Sequence, residues 1–336
     1  MNNLGPWNQV ADDVALRLTR ATSTAAQQYV DWQREFSDRL SRTSRGLLEG
    51  DRAGSASFEE RSLSRLGARG AIPPSGRFGP YTPSALELHV RSRRLSIDDE
   101  LSNMLRPSAN GVFITRDPDG VLYIYKPFHQ EYYGDQNWLP HVDGQLAIRE
   151  VAGYRVFELI DAPRVPPTAL VDGPRGPGMA QLYVPLKRSK PESNYLETHR
   201  AQTAMGHFLV GNADGNEGNH RPRHNGNPAH HPDDDLVAYD LGYSFPESRD
   251  PLRGTGEEGE EDGTEFSFLS PFIRAWDGAT FPQHVLDPVD ALTPDRMGSA
   301  LEDLKLGDSA IDGALERLAY VHRNHTIHGD SFTASQ

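Results

Sequence analysis

Cysteine is absent from this 336-residue chain, which excludes disulfide scaffolds, thiolate zinc sites and cysteine nucleophiles. Long hydrophobic runs are missing too. No stretch approaches the length needed to span a bilayer, and the first residues lack the apolar core of a secretion signal. Positive charge is in short supply: 34 Lys and Arg stand against 48 Asp and Glu, a formal net charge of −14. That balance argues against nucleic acid and against an anionic membrane surface, because both call for a basic footprint. Part of the excess is local, in the acidic, glycine-rich run Glu257, Glu258, Glu260, Glu261 and Asp262, which reads as a solvated loop. The chain reads as soluble and most simply cytoplasmic.

What is present begins with a stripe. Trp7, Val10, Val14, Leu18, Ala21, Ala25, Tyr29, Trp32, Phe36 and Leu40 recur at steps of three or four, with no glycine or proline between them. The spacing predicts one long amphipathic helix within residues 1–45. Propensity alone does not hold so long a helix, so its stripe must pack on the body of the protein, on a second copy or on a partner protein. Residues 46–85 are rich in Ser, Arg, Gly and Pro and read as a linker with one short helix near 58–66.

The globular pattern starts near residue 86. A short helix is expected at 97–105, and two strands at 111–115 and 121–125, joined by the turn chemistry of Asp117-Pro-Asp-Gly. An apolar-periodic segment opening at Glu150 reads as a helix to residue 160. Two further strands, 166–171 and 179–184, flank a Gly/Pro run at 173–178. That run suggests a phosphate cradle, but its prolines lack the N–H donors a cradle needs, so a hairpin turn is the better reading. Beyond residue 187 the chain reads as mainly helical, first at 196–210 and last at 300–321.

Five residues carry chemistry in this order: Lys126 at a strand end, Glu150 on the helix, Asp214 and Asn219 in a Gly/Asn-rich loop, and Asp240 after an apolar run. Each alone has an ordinary reading as a strand-end cation, a helix charge or a turn residue. Together they match the parts list of phosphoryl transfer from ATP. A lysine holds phosphates, a glutamate fixes that lysine, an aspartate orients the acceptor hydroxyl, and an amide and a carboxylate hold Mg²⁺ through oxygen.

The strings Tyr125-Lys-Pro, Arg149-Glu-Val-Ala-Gly-Tyr, Gly211-Asn-Ala-Asp-Gly-Asn-Glu-Gly-Asn and Ala238-Tyr-Asp-Leu-Gly resemble the atypical kinases of the phosphatidylinositol 3-/4-kinase-like and HipA-like group, most of all its soluble bacterial branch. The resemblance covers about residues 105–245. It implies an α+β, bilobal, protein-kinase-like fold: a small antiparallel-sheet lobe with one helix at 86–186, a mostly helical lobe at 187–323, and a tail at 324–336. It also implies ATP and Mg²⁺ as cofactors, with Lys126 as the phosphate-binding lysine and Glu150 as its ion-pair partner. Asp214 would be the catalytic aspartate, and Asn219 and Asp240 the metal ligands. The segment Gln181-Leu-Tyr-Val-Pro, with Leu182 and Val184, would be the hinge that reads adenine. Many members carry Arg or His directly after the catalytic aspartate; this chain has Gly215, Asn216 and Glu217.

The acceptor expected is a protein Ser/Thr hydroxyl or a small-molecule hydroxyl, the first being favoured. Two alternatives use the same residues: a nucleotide-binding scaffold with little turnover, whose N-terminal helix joins an assembly or a second copy, or transfer of AMP. His220, His224, His230 and His231, with Asp233, Asp234 and Asp235, raise a zinc reading. No framework in the sequence fixes their geometry, and a polar insertion is favoured.

Overall fold

The computed structural model describes residues 76–105, 108–134, 139–224, 231, 235–247 and 270–328. The chain divides into two units between Gly76 and Arg77, and the helices and strands named below all belong to the second. The expected N-terminal helix, the linker up to residue 75, the acidic run, His230, Asp233 and Asp234 lie outside the described residues. Among those that are described, no helix is long and apolar enough to cross a membrane.

The two-lobed α+β arrangement is the one found. The first lobe comprises helix α1 (Ala85–Arg91), β1 (Ser96–Ile97), α2 (Asp99–Ser102), β2 (Phe113–Arg116), β3 (Leu122–Pro127), α3 (Gln145–Leu159), β4 (Thr168–Gly173) and β5 (Gly176–Leu182). Its five strands form one antiparallel sheet in the order β1-β2-β3-β5-β4. The expected 97–105 helix splits into a strand pairing and the four-residue α2, which Asp98 caps by accepting from Leu101 N–H at 3.1 Å. With α1 added, three helices rather than one accompany the sheet among the described residues. The Asp117 turn forms as its residues dictate: the Asp117 side chain accepts from Asp119 N–H and Val121 N–H, and Gly120 takes φ +85°. The glycine- and proline-rich run at 173–178 is a hairpin whose strands reach Gly173 and Gly176.

Helix α3 is the axis of the structure. It packs on β4 and β5 on one side and on α4 (Glu197–Val210) and α7 (Pro294–Glu302) on the other, and eleven of its fifteen residues are buried. Its start needs correction, for Glu150 stands in its second turn rather than its first. The extra turn is held by Glu131, whose carboxylate accepts from the N–H groups of Gly144, Leu146 and Ala147 at 2.9, 3.2 and 2.7 Å. These are donors that a helix start leaves without an intrahelical partner.

The second lobe contains α4, a two-stranded ribbon of β6 (His220–Pro222) and β7 (Leu236–Ala238), and helices α5 (Pro271–Ala275), α6 (Gln283–Asp290), α7 and α8 (Asp308–Asn324). The helix expected over 300–321 is two helices. Leu304 and Leu306 are both buried across a turn in which Lys305 adopts φ +59°, so the apolar spacing runs on while the backbone reverses.

Candidate functional site

Lys126 and Glu150 meet first. Strand β3 sits between β2 and β5, with Lys126 opposite Met179, and its ammonium pairs with Glu150 of α3. The same ammonium donates to Asp240 Oδ1 at 2.9 Å. No local pattern signals this second bond, which places Asp240 on the lysine as well as near the loop. Burial alone would depress the Lys126 ammonium, but the Asp240 and Glu150 carboxylates outweigh it and hold the lysine charged. Burial pushes Glu150 up to about 7 against the pull of Lys126, with Asp240 adding to the rise.

A glycine on α3 seats Asp240. Gly153 lies one helical turn after Glu150, on the same face, and a Cβ there would stand 2.6 Å from Leu241 Cδ1 and 3.0 Å from Leu241 Cβ. Leu241, fully buried, thus occupies the space a side chain would take and brings its neighbour Asp240 to the Lys126–Glu150 pair. Asp240 itself adopts φ +61°, a left-handed conformation that aspartate tolerates better than most residues.

The loop of Asp214 and Asn219 is tied to the same segment. Ala213 N–H donates to Tyr243 O at 2.9 Å, Tyr239 N–H to Asn219 O at 3.1 Å, and the Tyr239 hydroxyl to Gly218 O. Within the loop, Asn212 Oδ1 accepts from Asp214 N–H at 3.0 Å. Asn219 Nδ2 donates to Asp214 O at 2.8 Å and Asp214 Oδ2 at 3.3 Å, and Asn216 Nδ2 donates to Asp214 Oδ1 at 2.6 Å. Burial raises the Asp214 carboxyl above the ordinary range; the Asn216 and Asn219 hydrogen bonds oppose that, while the charge of Asp240 adds to it.

The loop rests on two buried histidines: His207, which sequence reasoning passed over, and His220, which it assigned to a polar insertion. His207 is on α4, where its apolar-periodic setting marks only a buried helix face. His220 opens β6 and is buried, so it is not part of a loose polar insertion as expected. Their Nε2 atoms lie 3.1 Å apart, and His220 Nδ1 is 2.8 Å from Asn216 O. His207 also accounts for Gly215, because a Cβ at that position would stand 2.8 Å from His207 Nδ1 and 2.8 Å from Ser270 Cβ. An arginine or histidine next to Asp214 does not fit beside this imidazole.

Lys126, Glu150 and Asp240 line an open cleft enclosing about 320 Å³, solvent at its mouth included, with Asn110, Gly111, Gln130 and Tyr243 among its other walls. Leu182 and Val184 are buried at and just beyond the end of β5, which pairs with the lysine strand; Tyr183 N–H donates to Leu122 O at 3.0 Å and Leu182 N–H to Pro167 O at 2.9 Å. Of the histidine and aspartate cluster, Asp235 pairs with Arg164 at 2.7 Å. No group of three or more His, Asp or Glu suited to hold a metal occurs among the described residues.

No protein-family model matches the chain, and no curated protein matches it. Solved structures do. A Golgi casein kinase with Mn/ADP bound aligns with a TM-score of 0.44 at 12% identity, over 71% of this chain and 74% of that one. A Helicobacter pylori proinflammatory kinase, CtkA, aligns at 0.38 and 10%, over 70% and 93%. Hydra Fam20 with sugar aligns at 0.39 and 13%, over 71% and 93%. These similarities are distant.

Proposed function

We propose that this chain is an ATP-dependent phosphotransferase of the atypical kinase type, acting most readily on a protein Ser or Thr hydroxyl. One observation carries the reading: Lys126, held between Glu150 and Asp240 at the floor of an open cleft, with the Asp214–Asn219 loop bonded to the segment that bears Asp240. A lysine so held is fixed in place and charged, as a phosphate-binding cation must be. The finer placement, with the phosphatidylinositol 3-/4-kinase-like and HipA-like group, is supported by the local strings alone.

The residues fit a hard divalent cation. Both Asn219 N–H bonds are directed to Asp214, which leaves Asn219 Oδ1 free as an acceptor, and Asp240 engages Lys126 through one oxygen only. One amide oxygen and one or two carboxylates suit Mg²⁺, which keeps water and phosphate oxygens as its remaining ligands. When bound, the metal would neutralise charge on the transferred phosphoryl group. Lys126 would bind the phosphates from β3, and Glu150 would keep its ammonium in place. Asp214 would accept the proton of the acceptor hydroxyl, a role that its raised pKa favours. Leu182 and Val184 would flank the base at the strand end. The acidic balance of the chain argues for a protein acceptor over a lipid one.

The test is transfer from γ-labelled and α-labelled ATP in parallel, with products identified by mass. Label from the γ-position only, lost by about 10²-fold or more in Asp214→Ala while nucleotide affinity holds, is the expected result. In Asp240→Ala the dependence of nucleotide affinity on Mg²⁺ should disappear. Label from the α-position would establish AMP transfer instead. Tight binding without any transfer would establish a nucleotide-binding scaffold, the reading that Gly215-Asn216-Glu217 favours.

A further inference from the structure

We infer that His207 and His220 form a fixed-tautomer relay that positions the Asp214 loop, with each ring neutral and each proton assigned by its neighbours. The assignment follows from the two ends. Asn216 O is a carbonyl and can only accept, so the proton in its 2.8 Å contact with His220 Nδ1 belongs to the imidazole. At the other end, Asn212 Oδ1 accepts from Asp214 N–H, which turns the Asn212 amide nitrogen toward His207 Nδ1 at 3.4 Å. That nitrogen only donates, so His207 Nδ1 carries a lone pair and its proton is on Nε2. The Nε2–H of His207 then donates to an unprotonated His220 Nε2 across 3.1 Å. A further proton on either ring would place two donors face to face or break one end of the chain.

The surroundings agree. Phe157 meets His207 edge-on at 5.9 Å and Phe272 lies 4.6 Å from His220, ring centre to ring centre. Neither histidine has an acidic partner among the described residues. The relay starts and ends in the loop itself: Asn212 holds the backbone of Asp214, and Asn216 O also accepts from Asn219 N–H at 3.1 Å. It therefore holds the backbone at Asp214 and at Asn219, the two loop residues that the proposed reaction uses, and Gly215 admits the imidazole that does so. These are positioning residues; neither reaches the cleft. Only the turnover arm of the test rests on the proposed kinase activity.

The experiment uses full-length ¹⁵N-labelled protein. Long-range ¹H–¹⁵N spectra of the histidine rings at neutral pH should show His207 protonated at Nε2 and His220 at Nδ1. A His220 protonated at Nε2, or either ring doubly protonated, would overturn the relay. In the second arm, His220→Asn keeps an amide donor near the Nδ1 position and His220→Gln moves it to the Nε2 position. Amide exchange at Asn219 should rise about tenfold in His220→Gln and stay close to wild type in His220→Asn, as loss of one buried hydrogen bond implies. Equal exchange in the two variants would refute loop positioning. In the third arm, His220→Gln should lower kcat about tenfold with nucleotide KM little changed, and His220→Asn should recover most of that loss. If wild-type protein transfers nothing, the kinase reading fails, while the spectra and the exchange rates still decide the relay.

Discussion

The same two imidazoles set how the protein should respond to acid. Burial holds His220 down to about 4, from 6.5 for a free imidazole, despite its bond to Asn216 O. Burial and the neighbouring His220 lower His207 well below that ordinary value too. The unfolded chain takes up these protons near pH 6.5, whereas His220 in the fold takes up its own only near about 4. The unfolded state therefore binds more protons in that window, and stability falls as pH falls through it, by about 3 kcal/mol for His220. Glu150 acts in the opposite sense. Its raised value means the folded state holds a proton that the unfolded state has lost, so its contribution declines as pH rises from about 4.5 to about 7. Comparing denaturant unfolding of wild type and His220→Gln from neutral pH to about pH 4 cancels the Glu150 effect. The variant should be less stable at neutral pH, and the gap should narrow toward pH 4. A gap independent of pH would show that His220 takes up its proton at the same pH in the folded and unfolded chain, so that burial does not hold it neutral.

At the scale of elements, α3 decides whether a site exists, since it bears both Glu150 and the Gly153 seat for Leu241. In Gly153→Val, Leu241 must move, and Asp240 with it. Overpacking of this kind costs about 1–3 kcal/mol. Nucleotide affinity should fall by more than stability alone explains, because the Lys126–Asp240 contact is lost. Calorimetry on variant protein that still unfolds cooperatively would test this, and unchanged affinity would refute the seating role. The sequence shows part of this element plainly. Lys126 and Glu150 are charges within apolar runs, and they are found paired; Asp214 and Asn219 share a loop, and they are found bonded. Harder to see were the contacts made across the chain. Glu131 extends α3 from a segment with no helical pattern, Asp240 reaches back 114 residues to Lys126, and His207 resembles any polar residue on a buried helix face. Periodicity reports which face is buried, but not what a polar group meets there. The broken helix at 303–307 was hidden for the same reason, since both of its turn leucines are buried.

At the scale of the whole molecule, one guanidinium joins three separate stretches of chain. Arg155, on α3, donates from Nε and Nη2 to the two oxygens of Glu87 on α1, at 2.9 and 2.6 Å. Its Nη1 donates to Ala300 O at 2.7 Å and to Asp303 Oδ2 at 2.9 Å, where α7 ends. The Tyr81 ring lies 4.2 Å from its central carbon. Arg155 and Glu87 are 1% and 2% exposed, so neither charge has water to fall back on. A planar fork satisfied on both prongs is the geometry in which a buried ion pair holds, and removing one member leaves the other stranded. Arg155→Met should therefore destabilise the fold by about 3–5 kcal/mol, whereas Arg155→Met combined with Glu87→Leu should recover much of the loss because no charge stays buried. Denaturant midpoints of the three proteins would measure this. A single variant within about 1 kcal/mol of wild type would mean that this clamp contributes little to holding the lobes together. Helix α3 carries Glu150 as well as Arg155, so loosening this clamp should also weaken nucleotide binding at a site the substitution does not touch.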